Sequence, residues 1–281
     1  MFRIRKILHK ILSSKNYDVI QIKNLEELYF CAGVRDAVSR WTNPCVPEEL
    51  GVYVLEKMIS TRSSSQLQQE MLALFVSELF IDTEPYFVEF GAADGLIYSN
   101  SHALESVFGW NGLLAEPANG YQDILRMNRR CEIESRCIWK SSGEYISFLE
   151  QPEGEYSSVL GKNSNFFERR GNVSYKVETI TLRDTLFCHN APQKITFLSV
   201  DTEGSEWDII KGFDFSEYEF SFISIEHNYS QNRNKVFHTL TTNGYYRVLK
   251  DISEFDDWFL HTSVIEKISE KYKLWNLKFE G

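Results

Sequence analysis

Carboxylates stand at the ends of apolar runs in this chain. Glu116 closes the run 112–116, Asp201 follows the run 195–200, and Glu226 follows the run 220–225. Short apolar runs without alternating polar positions suit strands buried on both faces, as in a parallel sheet. Binding sites of open α/β sheets lie beyond the carboxyl ends of such strands. Acids placed there can accept hydroxyl hydrogen bonds, take a proton, or hold a cation. Glu203 and Glu206 crowd the same strand-to-helix loop as Asp201, which costs repulsion unless a cation or substrate offsets it. Glu206 and Asp208 also sit where a helix N-terminus favours acids in any protein. His227 and Asn228 follow Glu226 directly, which adds a group titrating near neutrality and an amide. If the two strands are neighbours, Asp201 and Glu226 face one site. The catalytic candidates are Asp201, Glu203, Glu226 and His227, with Glu206 and Asn228 as acceptor contacts.

The element that must position them is the stretch 86–95, YFVEFGAADG, which reads as a buried strand ending in a glycine turn. A helix over 96–108 and the second strand, GLLAE, follow it. Gly95 and Glu116 are separated by about the 20-residue step at which a dinucleotide fold places the acid that grips a ribose diol. The turn itself is no pyrophosphate loop: the second and third glycine positions after Gly91 hold Ala93 and Leu96, and Asp94 would repel phosphate. S-adenosylmethionine has no phosphate and carries a cationic sulfonium and an ammonium, so Glu89, Asp94 and Glu116 suit it. Gly91, Ala92 and Gly95 are the loop positions that would approach it.

The surrounding pattern alternates strand and helix. Ser65 is placed to cap a helix over 66–80, whose Leu67, Met71, Leu74, Phe75 and Leu79 recur at helical spacing. Residues 119–130 read as helix, 131–138 as a third strand, 144–149 as a short strand and 173–182 as strand again. Between them, 151–172 is a polar, glycine-rich insertion of the kind that serves as a lid or substrate loop, with Tyr156, Ser157 and Ser158 its contact candidates. Ser205 with Asp208 reads as a capping box for a helix stopping at Gly212. Residues 245–249 and 257–261 form a hairpin-like pair, and a helix or tail closes the chain. Residues 17–62 read as helical with a break at 44–47. This divides the chain into a helical N-terminal extension, 1–62, and a catalytic domain, 63–281.

The net charge of −10 argues against a nucleic-acid footprint and against substrates bearing several phosphates. Five cysteines without a C-x-x-C pair suit reduced thiols and a cytoplasmic setting. No run reaches the ~18 apolar residues of a membrane span. Residues 1–15, MFRIRKILHKILSSK, place Ile4, Ile7, Leu8, Ile11 and Leu12 on one helical face amid basic residues. That pattern suits either peripheral contact with an anionic membrane, here the inner face, or a helix docked on protein.

The segments FVEFGAADG, SNSHALE, GLLAEP, ETITLRDTL, FLSVDTEGSEWDIIKGF and FISIEHN, in this order, resemble the FkbM family of class I S-adenosylmethionine-dependent methyltransferases over residues 65–250. The resemblance implies a Rossmann-like α/β fold: a seven-stranded, mostly parallel sheet with an antiparallel last strand and helices on both faces. It also implies O-methylation of a hydroxyl, often on a sugar, glycan or polyketide. SSSQLQQE is similar to the serine-glutamine entry motif of the family, which would bring Ser65 and Gln66 to the cofactor, as the matched motifs would Ser99, Asn100, Pro117 and Asp201. Ala93 departs from the glycine that many methyltransferases carry. An alcohol hardly ionises at neutral pH, so its proton must go to a base such as His227 or Glu203. Otherwise a Mg²⁺ or Mn²⁺ ion on Asp201, Glu226 and Asn228 must lower its pKa, an arrangement similar to that of catechol O-methyltransferases. The competing expectation is a catalytically degenerate fold that binds a glycan or a partner at a membrane surface.

Overall fold

The computed structural model describes residues 25–61, 63, 65–80, 82–151, 157–159, 172–272 and 279–281. Two helices, α1 (Leu25–Trp41) and α2 (Glu48–Thr61), lead into α3 (Gln69–Ser77) and the first strand, β1 (Tyr86–Phe90). After α4 (His102–Ser106) come β2 (Asn111–Ala115), α5 (Gln122–Asn128) and β3 (Glu132–Glu134). A smaller unit follows, made of β4 (Cys137–Ile138), β5 (Tyr145–Glu150), β6 (Ser158–Val159) and β7 (Val173–Ile180). The chain then runs through α6 (Leu182–Cys188), β8 (Lys194–Val200), α7 (Glu206–Ile210), β9 (Glu219–Glu226) and α8 (Arg233–Thr242). It ends with β10 (Tyr245–Val248), β11 (Asp256–His261) and α9 (Thr262–Lys271).

The seven-stranded sheet has the order β10-β11-β9-β8-β1-β2-β3. Strands β9, β8, β1, β2 and β3 pair in parallel, and β11, last in sequence, runs antiparallel between β9 and β10. Successive strand residues feed opposite cores, as the period of two requires. Phe87, Phe197 and Phe222 join a cluster with Leu50, Val54, Met71, Leu104 and Ile268 on one face. Val88, Leu198 and Ile223 join Leu186, Ile210 and Leu240 on the other. The α1 and α2 helices belong to the first of these cores: Trp41 is buried and stacks on Trp258 of β11 at 5.8 Å.

Several local expectations are corrected, most of them because a carboxylate captures groups that a helix or strand would have used. The helix expected over 96–108 covers only His102–Ser106. The Asp94 carboxylate accepts from the amides of Leu96 and Ile97, Glu89 accepts from the Asn100 amide, and Ser99 Oγ accepts from the His102 amide, so the helix starts late. Ser65 does not cap α3. Its hydroxyl and that of Ser63 both donate to the buried Glu70, and the helix begins at Gln69 behind a left-handed Gln68. Ser205 and Asp208 form no capping box: Ser205 Oγ donates to Thr202, Asp208 pairs with Lys211, and the helix ends at Ile210 rather than Gly212. The single strand over 131–138 is two, because Arg136 folds back onto Glu134 and turns the chain out of the large sheet, where β4 pairs with β7.

Candidate active site

Parallel pairing aligns the carboxyl ends of four strands. Phe90 is in register with Ala115 on one side and Val200 on the other, Val200 with Ile225, and Glu226 with Asp256 of β11. The next residue along the central strands therefore gives one line across the sheet edge: Glu116, Gly91, Asp201, Glu226 and Asp256. Gly91 is required there twice over. Its φ is +79°, and a Cβ would lie 1.7 Å from the Asp201 carbonyl oxygen. Four side-chain-bearing residues of this rim also hold positive φ, Ala93, Tyr98, Glu203 and Asn228, a concentration of backbone strain of the kind that gathers at functional sites.

Beyond this edge lies a cavity of about 410 Å³. Its β2 end is walled by Pro117, Cys137, Ile138, Phe148 and Val159, and its β9 end by Gln69, Asp201, Glu203, Glu226, Asn228 and Asp256. The small sheet is tied over the β2 end by Glu150, which accepts from the Gly120 amide and from the Tyr175 hydroxyl.

Glu116 is buried at the apolar end, and its two carboxylate oxygens accept from the amides of Ala93 and Ala118. Burial raises it to about 7, against the lowering effect of those amides. Each oxygen keeps lone-pair capacity for a hydroxyl. Asp201 and Glu226 approach each other closely, and two buried carboxyls at that separation relieve their repulsion by sharing a proton. Burial raises both, and the nearby charges of Asp201, Glu203 and Glu206 push Glu226 further up, so the proton resides on Glu226. Oxygens of Asp201, Glu203 and Glu226 lie within 4.8 Å of one another. Asp256 accepts from Ser224 Oγ at 2.8 Å and is raised to about 7 by burial and then by Asp201.

Other expected site residues are placed less directly. Ala92, Ser99, Asn100, Pro117, Gln66 and Ser157 line the cavity. Glu89 reaches it too, but its oxygens accept from Ser99, Asn100 and Ser101, with Arg129 3.8 Å away, so it holds the loop after β1 in place. Asp94, Gly95 and Ser65 do not line the cavity. Asp94 closes its own turn, and a Cβ on Gly95 would meet Leu125 and Arg129. Glu206 turns into its own loop and accepts from the Thr202 and Gly204 amides. Ser158 pairs in β6 without lining the cavity, and Tyr156 lies outside the described residues. His227 stands behind the edge: its Nδ1 accepts from the Tyr229 amide, Nε2 is 4.0 Å from Asp257, and burial holds the ring below its usual pKa. It does not line the cavity. Sequence reasoning missed Asp256, since the last strand was started one residue late. The signal for it is that an antiparallel strand begins where its parallel neighbours end.

The residues fit S-adenosylmethionine. Glu116 offers acceptors for a ribose diol beside apolar walls suited to adenine, and the line of acids suits a sulfonium and an ammonium. Among the described residues the cavity has no lysine, arginine or histidine in its wall. A doubly wound sheet with an antiparallel last strand and this edge defines a class I methyltransferase. The model of the methyltransferase FkbM domain matches residues 89–265, and the chain belongs to that family of methyltransferases. Solved structures similar to it include the methyltransferase FkbM from Methylobacillus flagellatus KT, at 13% identity and TM-score 0.40, covering 82% of this chain and 58% of that one. A second is the precorrin-6y C5,15-methyltransferase from Geobacter metallireducens GS-15, at 15% identity and TM-score 0.34, covering 64% and 73%. A third is the plantazolicin methyltransferase BpumL in complex with SAH, at 8% identity and TM-score 0.30, covering 89% and 79%. The chain thus spans 58% of the length of the first. No curated protein matches it significantly.

Proposed function

We propose that this methyltransferase uses S-adenosylmethionine to methylate a hydroxyl of a sugar, glycan or related natural product. The observation that carries the reading is the edge line itself, with a ribose acceptor at Glu116 and a proton-sharing acid pair on the two successive strands beyond Gly91. When bound, the cofactor supplies an electrophilic methyl carbon. The chain's own task is to align an alcohol oxygen with it and to remove the alcohol proton. Asp201 performs the second task. Glu226 keeps the shared proton, so Asp201 is the ionised member, and burial lifts it toward the working pH of a general base. Asn228 and Gln69, on the same wall, are placed to orient the acceptor. His227 is outside the wall and is not assigned the base role.

A divalent cation on Asp201, Glu226 and Asn228, the other route, would have to displace the shared proton. The test is incubation of the full chain with methyl-labelled cofactor and a pool of neutral glycans, with the label located by mass spectrometry, with and without chelator. Label on oxygen that survives chelation supports the reading. Loss restored by magnesium or manganese transfers the proton task to a metal, and label only on nitrogen or carbon removes the O-methyl assignment.

No helix among the described residues is long and apolar enough to cross a membrane. The basic segment 1–15 lies outside the described residues. Its proposed peripheral contact with the inner membrane face of a cytoplasmic enzyme would show as salt-sensitive sedimentation with anionic vesicles that truncation abolishes.

A further inference from the structure

The loop after β1 carries three consecutive apolar side chains that the fold leaves exposed: Leu96 at 41%, Ile97 at 52% and Tyr98 at 46%. Ile97 and Tyr98 are also part of the cavity wall. Exposed apolar residues scattered singly need no explanation, but a run of them at the mouth of a site does.

Their position is fixed from both sides. On one side, Asp94 accepts from the Leu96 and Ile97 amides, and its own carbonyl accepts from Asn128 Nδ2 at 2.8 Å. On the other, the Asn100 amide donates to Glu89 at 2.7 Å, Asn100 Nδ2 donates to Ser199 Oγ at 3.0 Å, and Arg129 donates to Ser99 Oγ at 3.1 Å. Between these anchors Tyr98 holds a left-handed backbone at φ +57°. An aromatic residue adopts that conformation only where the surroundings over-determine it. Pinned ends, a strained apex and apolar side chains facing a cavity mouth together describe a rigid platform.

Resting on the methyl-transfer reading above, we propose that Ile97 and Tyr98 are the acceptor platform, and that the acceptor is an uncharged sugar ring whose C–H face lies on them. The face of an aromatic ring carries negative potential and attracts polarised C–H groups. The charge of the wall supplies the second half of the argument. Its ionisable groups are Glu89, Glu116, Asp201, Glu203, Glu226 and Asp256, with Cys137, Tyr98 and no cationic side chain among the described residues. A phosphorylated or uronate sugar would find no cationic partner among these described wall residues, whereas a neutral ring can donate its hydroxyls to the acids and rest its apolar face on the loop.

The test uses the full chain with excess S-adenosylhomocysteine, whose affinity is first measured by calorimetry. The probes are the methyl glycosides of glucose, galactose, mannose and rhamnose, with glucose 6-phosphate and methyl glucuronide as charged counterparts, followed by saturation-transfer NMR. At least one neutral glycoside is expected to receive saturation at its ring C–H protons, and the charged probes are not. Tyr98→Ala should weaken that glycoside by about tenfold, and Tyr98→Phe should restore it, with cofactor-product affinity unchanged within about twofold. Ile97→Ser, which leaves the Tyr98 backbone alone, should weaken it by several-fold. Several results would overturn the proposal: an unaltered glycoside signal in both Tyr98→Ala and Ile97→Ser, stronger binding of a charged probe, no neutral glycoside bound, or an equal loss of S-adenosylhomocysteine affinity in Tyr98→Ala. Absence of S-adenosylhomocysteine binding by the folded native chain would instead remove the methyl-transfer reading, and the platform with it.

Discussion

Replacing Glu226 by glutamine separates a proton-sharing pair from a pair of ionised acids. Oxygens of Asp201 and Glu226 lie within 4.8 Å, and two full charges at that distance in an effective dielectric near 20 would repel by about 3.5 kcal/mol, or about 2.5 pKa units. The native chain avoids part of this by keeping a proton on Glu226, whose folded pKa is raised above its unfolded value. The folded state then binds more protons than the unfolded one. Stability is complete below the ordinary glutamate range near 4.3 and falls by about 1.4 kcal/mol per pH unit above it. By about pH 7 the penalty reaches the Coulomb figure. Glutamine keeps the shape and a donor toward Asp201 but has no proton to lose. In urea denaturation at pH 5, 7 and 8, Glu226→Gln should match the native chain to within about 1 kcal/mol at pH 5 and exceed it by about 2–3.5 kcal/mol at pH 7 and above. Raised acids outside this cluster, Glu70 and Glu116, contribute the same slope to both proteins and cancel in the difference. A variant no more stable than the native chain at pH 8, or one whose advantage grows as pH falls, would refute the shared proton.

Further outcomes are expected. Glu116, raised to about 7 by burial, should bind the ribose diol best when ionised, so S-adenosylhomocysteine affinity should fall roughly tenfold from pH 8 to pH 6, and Glu116→Gln should flatten that profile. His227→Asn, which keeps an acceptor for the Tyr229 amide, should leave turnover within about threefold, while Asp201→Asn should cost about 10²-fold or more. A larger loss in the histidine variant would restore it as the base. Trp41→Ala, which removes a buried ring stacked on Trp258, should lower stability by about 3–5 kcal/mol in thermal or urea unfolding. A change below ~1 kcal/mol would show that α1 is dispensable to the catalytic fold.

The central strands were legible because a buried parallel strand is a plain apolar run, and β1, β2, β8 and β9 all are, whereas the seven-stranded sheet with its antiparallel last strand came from the family resemblance. The approach of Asp201 to Glu226 was expected on condition that their strands are neighbours, as the βα order and the family resemblance imply, and β8 and β9 do pair in parallel. What sequence could not show was where buried carboxylates spend their hydrogen bonds. Asp94, Glu89 and Glu206 read as ligand residues, and each also accepts hydrogen bonds that hold its own loop in place, as Glu70, which no pattern singled out, does for Ser63 and Ser65. His227 illustrates the same limit. Its neighbours Glu226 and Asn228 line the cavity, but at this turn, where Asn228 has φ +40°, the imidazole does not and lies near Asp257. Asp256 was hidden for another reason: its place beside Glu226 depends on the antiparallel register of β11, which no local pattern encodes.

The central claim is that one sheet edge holds the nucleoside at Glu116 and the acceptor at Asp201 and Glu226. Calorimetric titration of S-adenosylhomocysteine into the native chain and three variants tests it most directly. The account predicts saturable binding at one site per chain, weakened by about 1–3 kcal/mol in Glu116→Ala through lost ribose hydrogen bonds and little changed in Asp201→Asn and Glu226→Gln. No saturable binding by the folded native chain, or equal losses in all three variants, would contradict it.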